Sequence, residues 1–247
     1  MNAIYILWLR QIKRYFRSKA RIVGSIGQPL LFLVALGFGF GPVFAKAGEG
    51  DYLAFLSPGI IAMSILFTAV FNGIEIIWDR QFGFLKETLV APVSRLNIMV
   101  GRTLGGATVA LLQGLIVLAI TIPLGFKPNI LNLPLALVFM ILIALFFTGL
   151  GTAIASLLED MQGFQLIMNF IIMPVFFLSG ALFPADGLPS ALKYVLVGNP
   201  LAYGIDGLRA ALVGGAHFGM GLDFLVLGII TTIILGIGSY LFTKIQI

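Results

Sequence analysis

Residues 53–78 read LAFLSPGIIAMSILFTAVFNGIEIIW, and Glu75 is the single charged side chain in this stretch. A helix needs about 20 predominantly apolar residues to cross the hydrocarbon core of a membrane. Within that core every backbone polar group must be satisfied inside the segment, which a continuous helix achieves. The stretch therefore predicts a membrane-spanning helix.

Five further apolar stretches have the same character, with most of the charges in the connections between them. The chain of 247 residues is 60% hydrophobic and 10% charged, with a mean hydropathy of +1.09. Soluble domains carry about 25% charged residues, so this composition favours a membrane protein. We predict an all-α membrane protein with a single transmembrane domain over residues 1–247. The six predicted spans are 22–44, 53–78, 98–126, 131–158, 161–182 and 222–242.

The distribution of lysine and arginine predicts the orientation of the spans. These residues are concentrated before the first span and between the second and third. Cytoplasmic loops carry such an excess, so we predict a multi-pass protein of the cytoplasmic (inner) cell membrane with both termini cytoplasmic. The net charge of +5 then reflects topology, and we predict no nucleic-acid partner.

Several function classes are excluded by residue type. The chain has no cysteine and only one histidine, His217, which excludes thiolate and multi-histidine metal sites. It has no GxxxxGK[ST] motif, so it does not bind ATP through a phosphate loop of that type. We predict no catalytic residue, no metal ligand and no cofactor bound by this chain.

Residues 3–19 predict an amphipathic helix that lies in the membrane surface. At about 100° per residue, most of the basic side chains fall within an arc of roughly 100°, and aromatic and aliphatic side chains lie broadly opposite. Two roles stay open: a plain determinant of topology, or an interface helix that contacts a cytoplasmic partner. The basic positions are Arg10, Lys13, Arg14 and Arg17, with Arg21 beyond.

The connection between the second and third spans, DRQFGFLKETLVAPVSR at residues 79–95, is too amphipathic for a simple linker. Residues 80–91 predict a short helix that ends before Pro92, because the residue preceding proline avoids the helical region. Large apolar groups beside charges in a cytoplasmic loop favour a docking surface over groups that fold back onto the membrane. The docking candidates are Arg80, Phe84, Leu85, Lys86 and Glu87.

Residues 183–215 are too apolar for a solvated loop and too rich in proline for a span. They predict two short helices, 188–197 and 201–213, in a hairpin on the outer side. It either re-enters the outer leaflet or caps the bundle, since non-helical backbone at membrane depth is tolerated where protein buries it. Asn199 and Pro200 mark the turn, and Asp206 and Arg209 share a helix face on which they could pair.

Two smaller features have structural interpretations. Glu75 lies about one turn from Asp79 and Arg80, which favours local pairing over a role in transport. The glycines at 37–41 and 101–106 favour close helix packing over phosphate binding.

With these segments in view, the chain resembles the permease subunits of type-2 ATP-binding-cassette (ABC) exporters, most closely the daunorubicin-resistance-like branch. The most specific segment is FPADGLPSALKYVLVGNPLAYGIDGLR, from Phe183 to Arg209, and the second is FGFLKETLVAPVSR, from Phe82 to Arg95. A weaker match is the basic N-terminal helix followed by Gln28–Pro29. One departure is that Gln81 and Phe84 stand where many relatives carry Glu and Thr.

The resemblance implies six transmembrane helices, an interface helix, a cytoplasmic coupling helix between the second and third spans, and a re-entrant outer hairpin. It implies two copies of an ABC ATPase, which bind ATP and magnesium, and a second permease copy, either identical or a paralogue. Membrane lipids are further partners. The implied activity is export by alternating access, and the charge-poor spans favour amphipathic or lipid-like cargo.

Two other function classes stay open from the sequence. A self-contained secondary transporter or channel would have midplane ionisable groups and often an internal repeat. A membrane-embedded enzyme for lipids would need convergent polar groups near one interface. The nearest approach to the latter is in the predicted hairpin and the loop after it: Asp186, Asp206, Arg209 and His217.

Overall fold

The computed structural model describes residues 3–46, 51–84, 93–158, 160–184 and 189–244, and every regular element within these ranges is a helix. A short 3₁₀ turn, Ile130–Asn132, precedes α5. The helices are α1 Ala3–Arg17, α2 Lys19–Lys46, α3 Tyr52–Gln81, α4 Arg95–Thr121, α5 Leu133–Leu157, α6 Met161–Phe177, α7 Ser190–Val197, α8 Pro200–Leu212 and α9 Met220–Thr243.

Five helices of the described chain, α2 to α5 and α9, are long and apolar enough to cross a membrane. They correspond to five of the six predicted spans, so the all-helical membrane architecture is confirmed. The predicted span 161–182 is the exception, because α6 is shorter and contains a π-helical turn, Met168–Ile172. Pro174 lacks an N–H, and its ring would clash with the carbonyl four residues earlier, which accounts for the widened turn. Gly180, with φ +74°, follows the end of α6.

Helix α3 lies at the centre of the bundle. In its apolar window 83% of the residues are buried, and it packs against α2, α4, α5 and α8. Close backbone approach makes this possible, since a Cβ on Gly73 would overlap the carbonyl of Gly151 in α5. At the other end of α3, a Cβ on Gly59 would lie 2.5 Å from the carbonyl oxygen of Ala181.

Helix α1 packs against α4, and the predicted small-residue patch at 101–106 provides the contact surface. A Cβ on Gly105 would lie 2.7 Å from the side chain of Gln11, so any larger residue would separate the two helices. Trp8 adds a polar contact through its Nε1, which donates to Thr108 Oγ1 at 3.0 Å. The patch at 37–41 differs, because Gly39 and Gly41 have open space where a Cβ would point.

Helices α2 and α9 form exposed flanks of the bundle. Only 17% of the apolar window of each helix is buried. The exposed side chains on α2 include Val23, Leu31 and Phe38. An apolar surface of this extent is what a helix presents to lipid or to a second membrane subunit.

The segment of the predicted hairpin contains two helices, α7 and α8, whose bounds lie within two residues of the predicted 188–197 and 201–213. Its two helices differ in burial: most of α7 is exposed, whereas α8 is buried almost throughout against α3, α5 and α9. Asn199 caps α8 by accepting from the N–H of Leu201, and its Nδ2 donates to the carbonyl of Val175 in α6. The turn is therefore fixed to the bundle.

Candidate functional site

The predicted site residues lie at opposite ends of α3. At the C-terminal end of α3, Asp79 accepts a hydrogen bond from Arg102 of α4 and lies 3.6 Å from the guanidinium of Arg10 in α1. Asp79 and Arg102 are each 5% exposed. One buried carboxylate thus joins three helices, and we call these three residues the Asp79 cluster.

One turn earlier on α3, Glu75 lies 3.5 Å from Arg14 of α1, and its side chain is only 2% exposed. The guanidinium of Arg14 also lies 5.9 Å from the ring centroid of Trp78. Glu75 therefore contacts α1, which the local interpretation did not foresee. This agrees with a structural rather than a chemical role for the acid.

The four basic residues of α1 line a shallow cavity of about 450 Å³ together with Ile6 and Leu9. The structure thus brings Arg10, Lys13, Arg14 and Arg17 to one face, as the periodicity predicted. On the opposite side, Tyr15 is buried and donates from its hydroxyl to Gln113 Oε1 of α4 at 2.7 Å. This apolar and aromatic side attaches the helix to the bundle.

The loop candidates fall partly outside the described residues. Arg80 lies in the last turn of α3 rather than at the start of a separate helix. A turn follows at Gly83, where φ is +80°, and Phe84 is 51% exposed. Leu85, Lys86 and Glu87, and with them most of the predicted coupling helix 80–91, lie outside the described residues.

At the N-terminal end of α3, the hairpin residues make contacts that differ from those predicted. Asp206 and Arg209 do not form the predicted ion pair. The carboxylate of Asp206 instead accepts from the backbone N–H groups of His217 and Phe218, at 2.8–2.9 Å. Sharing a helix face permits a contact, but here a neighbouring loop offers Asp206 two charge-assisted hydrogen bonds.

Arg209 points toward α3 and the end of α6. Its guanidinium donates to the carbonyl of Gly180 at 2.9 Å and lies 4.0 Å from the ring centroid of Phe55. Burial lowers the pKa of Arg209 to about 10, and the negative charge of Asp206 partly offsets that shift. Arg209 therefore stays cationic at neutral pH and binds the segment after α6.

Sequence reasoning missed the roles of Arg102 and Gln113. Arg102 lies inside the predicted span 98–126, and a charged residue at that position was the available signal. Gln113 gave no signal because its partners, Tyr15 and Ser25, come from α1 and α2. Within the described part of the chain, no group of three or more metal-ligating side chains occurs.

Comparison with known proteins adds to this geometry. The family described as "ABC-2 type transporter" matches residues 2–213. Nodulation protein J of Rhizobium leguminosarum bv. viciae is 32% identical over 211 residues, which cover 84% of this chain and 81% of that protein. The putative transport permease ycf38 of Pyropia yezoensis is 31% identical over 215 residues, which cover 85% of this chain and 73% of that protein. The ycf38 protein of Cyanophora paradoxa is 29% identical over 217 residues, with the same coverage. The match spans every helix except α9, and the chain belongs to the ABC-2 type transporter family of membrane permeases.

Proposed function

We propose that this chain is the permease subunit of an ABC exporter that moves an amphipathic or lipid-like substrate outward by alternating access. Two permease copies, identical or paralogous, bind two separate ATPase subunits, which hold ATP and magnesium. The chain lies in the cytoplasmic membrane with both termini inside. It crosses six times, with α6 and the segment after it forming the fifth crossing. The hairpin of α7 and α8 re-enters from the outer face.

The observation that carries the proposal is the Asp79 cluster. Asp79 lies near the end of α3 and Arg102 near the start of α4, so their contact ties together both ends of the loop 82–94. Arg10 attaches α1 to the same carboxylate. Work done by an ATPase on this loop would then move α1, α3 and α4 together as a rigid body.

In this proposal Arg80, Phe84, Leu85, Lys86 and Glu87 contact the ATPase. The exposed Phe84, which directly precedes the central part of the loop, supports that role. The names of two relatives support the permease function, since both are called putative transport permeases.

Co-purification of a tagged chain from its native membrane tests the ATPase contact. We expect a soluble ATPase in stoichiometric amount with the wild-type chain and its loss with Leu85→Asp, because a carboxylate in an apolar contact is costly to desolvate. Leu131→Asp is the matched control, since Leu131 is 90% exposed beyond the far end of α4. Unchanged co-purification of Leu85→Asp would contradict the docking role. Absence of any ATPase from the folded wild-type chain would favour a self-contained transporter.

Cysteine labelling tests the orientation. The chain has no cysteine, so single substitutions at exposed positions give unambiguous signals. We expect Lys193→Cys in α7 to react with a membrane-impermeant maleimide added to intact cells, and Phe82→Cys to react only after lysis. The reverse pattern would overturn the proposed topology.

A further inference from the structure

A cavity of about 640 Å³ lies between α1, α2 and α3, within a single copy of the chain. Its volume falls in the range of small-molecule sites. Along α3 its lining runs from Met63 to Trp78, which at about 1.5 Å per residue is a length of about 22 Å. Two of its lining residues are partly exposed: Phe71 is 42% exposed and the side chain of Arg14 is 38% exposed.

The lining changes character along this length. Arg14, Glu75 and Trp78 lie at one end, and Met63, Ser64 and Phe67 lie toward the other. The charges lie at one end only, and the rest of the lining is uncharged, with Phe67, Phe71 and Ile74 beside polar side chains such as Ser25, Ser64 and Thr68. This arrangement is complementary to an amphiphile with a charged head group. The end with the charges is also the end at which α3 enters the loop.

The surrounding charge favours a negative head group. Arg14 is the cation that lines the large cavity, four further cationic side chains lie in the shallow cavity or the Asp79 cluster beside it, and Glu75 and Asp79 are the carboxylates of these sites. Arg14 belongs to both the large cavity and the shallow one on the face of α1, so its guanidinium is accessible to a ligand in either. Arginine presents several donors in a planar fork that suits phosphate oxygens. The cationic residues are Arg10, Lys13, Arg14, Arg17 and Arg102.

We propose that this cavity binds a phosphate-bearing amphiphile, with the phosphate on Arg14 and the acyl or other apolar part along Phe67 and Phe71. Glu75 holds the guanidinium of Arg14 at the mouth of the cavity. The site belongs to one copy of the chain and needs no second permease. The ligand is either a resident phospholipid or the transported molecule itself, and only the second alternative rests on the proposed function.

Fluorescence of Trp78 provides a direct test. The chain contains two tryptophans, so Trp8→Phe leaves Trp78 in the cavity wall as the only one. The full chain in detergent micelles is titrated with phosphatidylglycerol that carries brominated acyl chains, because bromine quenches tryptophan on contact. Diacylglycerol with the same brominated chains is the control that lacks phosphate.

We expect saturable quenching by the brominated phosphatidylglycerol and only weak, non-saturable quenching by the diacylglycerol. Arg14→Gln should weaken the apparent affinity about tenfold, and Arg14→Lys should weaken it less, because the loss of one charge-assisted hydrogen bond has about this effect. Lys19→Gln is the matched control, because it removes one positive charge at the start of α2 while Lys19 is exposed and lines neither cavity.

A second pair of variants changes shape without charge. Gly24 lines the cavity and Gly27 does not, and at both positions a Cβ would meet nothing within 4 Å. Gly24→Leu should weaken binding, whereas Gly27→Leu should not. Equal quenching by both lipids, or an affinity unchanged in Arg14→Gln, would overturn the proposal.

The source of the ligand is decided after reconstitution with the co-purified ATPase into phosphatidylethanolamine vesicles that contain the brominated phosphatidylglycerol. Recovery of Trp78 fluorescence on addition of ATP and magnesium would identify transported cargo, and persistent quenching would identify a resident lipid. Either result supports the site. Failure of the exporter proposal would show as the absence of an ATPase, and the micelle titration would still be interpretable.

Discussion

Replacement of Asp79 by alanine is expected to lower the free energy of unfolding more than replacement of an exposed carboxylate by alanine does. Asp79 is the hydrogen-bonded counter-ion of Arg102, and both side chains are almost fully buried. The Nε and Nη1 atoms of Arg102 already lack a hydrogen-bond partner among the described residues. Removing one partner of a buried ion pair costs about 3–5 kcal/mol, because the other charge stays buried without compensation.

Arg10 contributes less to this cost. Its side chain is 42% exposed and its contact with Asp79 is 3.6 Å, so solvent screens the interaction. Pairs of this kind contribute at most about 1 kcal/mol. The expected loss therefore comes mainly from Arg102, and the loosening of α1 follows as a smaller effect.

Unfolding by sodium dodecyl sulfate in mixed micelles measures the free energy of unfolding. Asp51→Ala is the matched control, because Asp51 is exposed and only caps α3 by accepting from the N–H of Leu53 at 2.9 Å. Loss of such a cap costs about 1 kcal/mol. The two variants should therefore differ by about 2–4 kcal/mol.

The double variant Asp79→Leu with Arg102→Met separates burial of a charge from loss of packing. Replacing both members of a buried pair by apolar groups of similar size is often neutral or stabilising. We expect the double variant to be more stable than Asp79→Ala. If Asp79→Ala is no less stable than Asp51→Ala, or if the double variant loses more than Asp79→Ala, the buried-pair reasoning is refuted.

Two further predictions concern other contacts of the bundle. Gly105→Leu should detach α1 from α4 and make the basic α1 sensitive to trypsin, at a cost of about 1–3 kcal/mol in the free energy of unfolding. Gly39→Leu, whose side chain enters open space, is the control. Equal trypsin sensitivity of both variants would contradict the close packing of α1 against Gly105. Asp206→Asn should accelerate amide hydrogen exchange at His217 and Phe218 about tenfold or more, because the charge in their hydrogen bonds is lost; unchanged exchange at those amides would contradict the role of Asp206.

The membrane helices were largely predictable because their signal is local. A long apolar run such as 53–78 has one favourable structure in lipid, and α3 extends beyond it by one residue at its start and three at its end. Asn199 and Pro200 likewise predicted the start of α8, since an amide cap followed by proline is a typical helix start. The short α6 was not predicted, because hydropathy does not register the change in backbone hydrogen bonding near Pro174.

The contacts of the site were less predictable than its residues. The basic face of α1 follows from helical periodicity, whereas its partners Glu75 and Asp79 come from α3 and lie 61 residues after Arg14 and 69 residues after Arg10. Asp206 and Arg209 had the right spacing to pair, yet each found a better partner in another segment. Spacing along one helix states which contacts are possible, and tertiary packing decides which of them form.

The two ends of α3 use polar groups in different ways, and the difference suits a protein that transmits motion. At the hairpin end, Asp206 and Arg209 bind backbone groups of nearby loops, and Asn199 binds the backbone carbonyl of Val175 in α6. Such bonds hold a loop in place without joining the charged side chains of one helix to those of another. At the loop end, Asp79 and Glu75 contact arginines of other helices, so displacement of one helix carries an energetic cost unless the others follow. In the proposed exporter, a force applied to the connection 82–94 would therefore be shared by α1, α3 and α4, and the hairpin end would keep its own local order while they move.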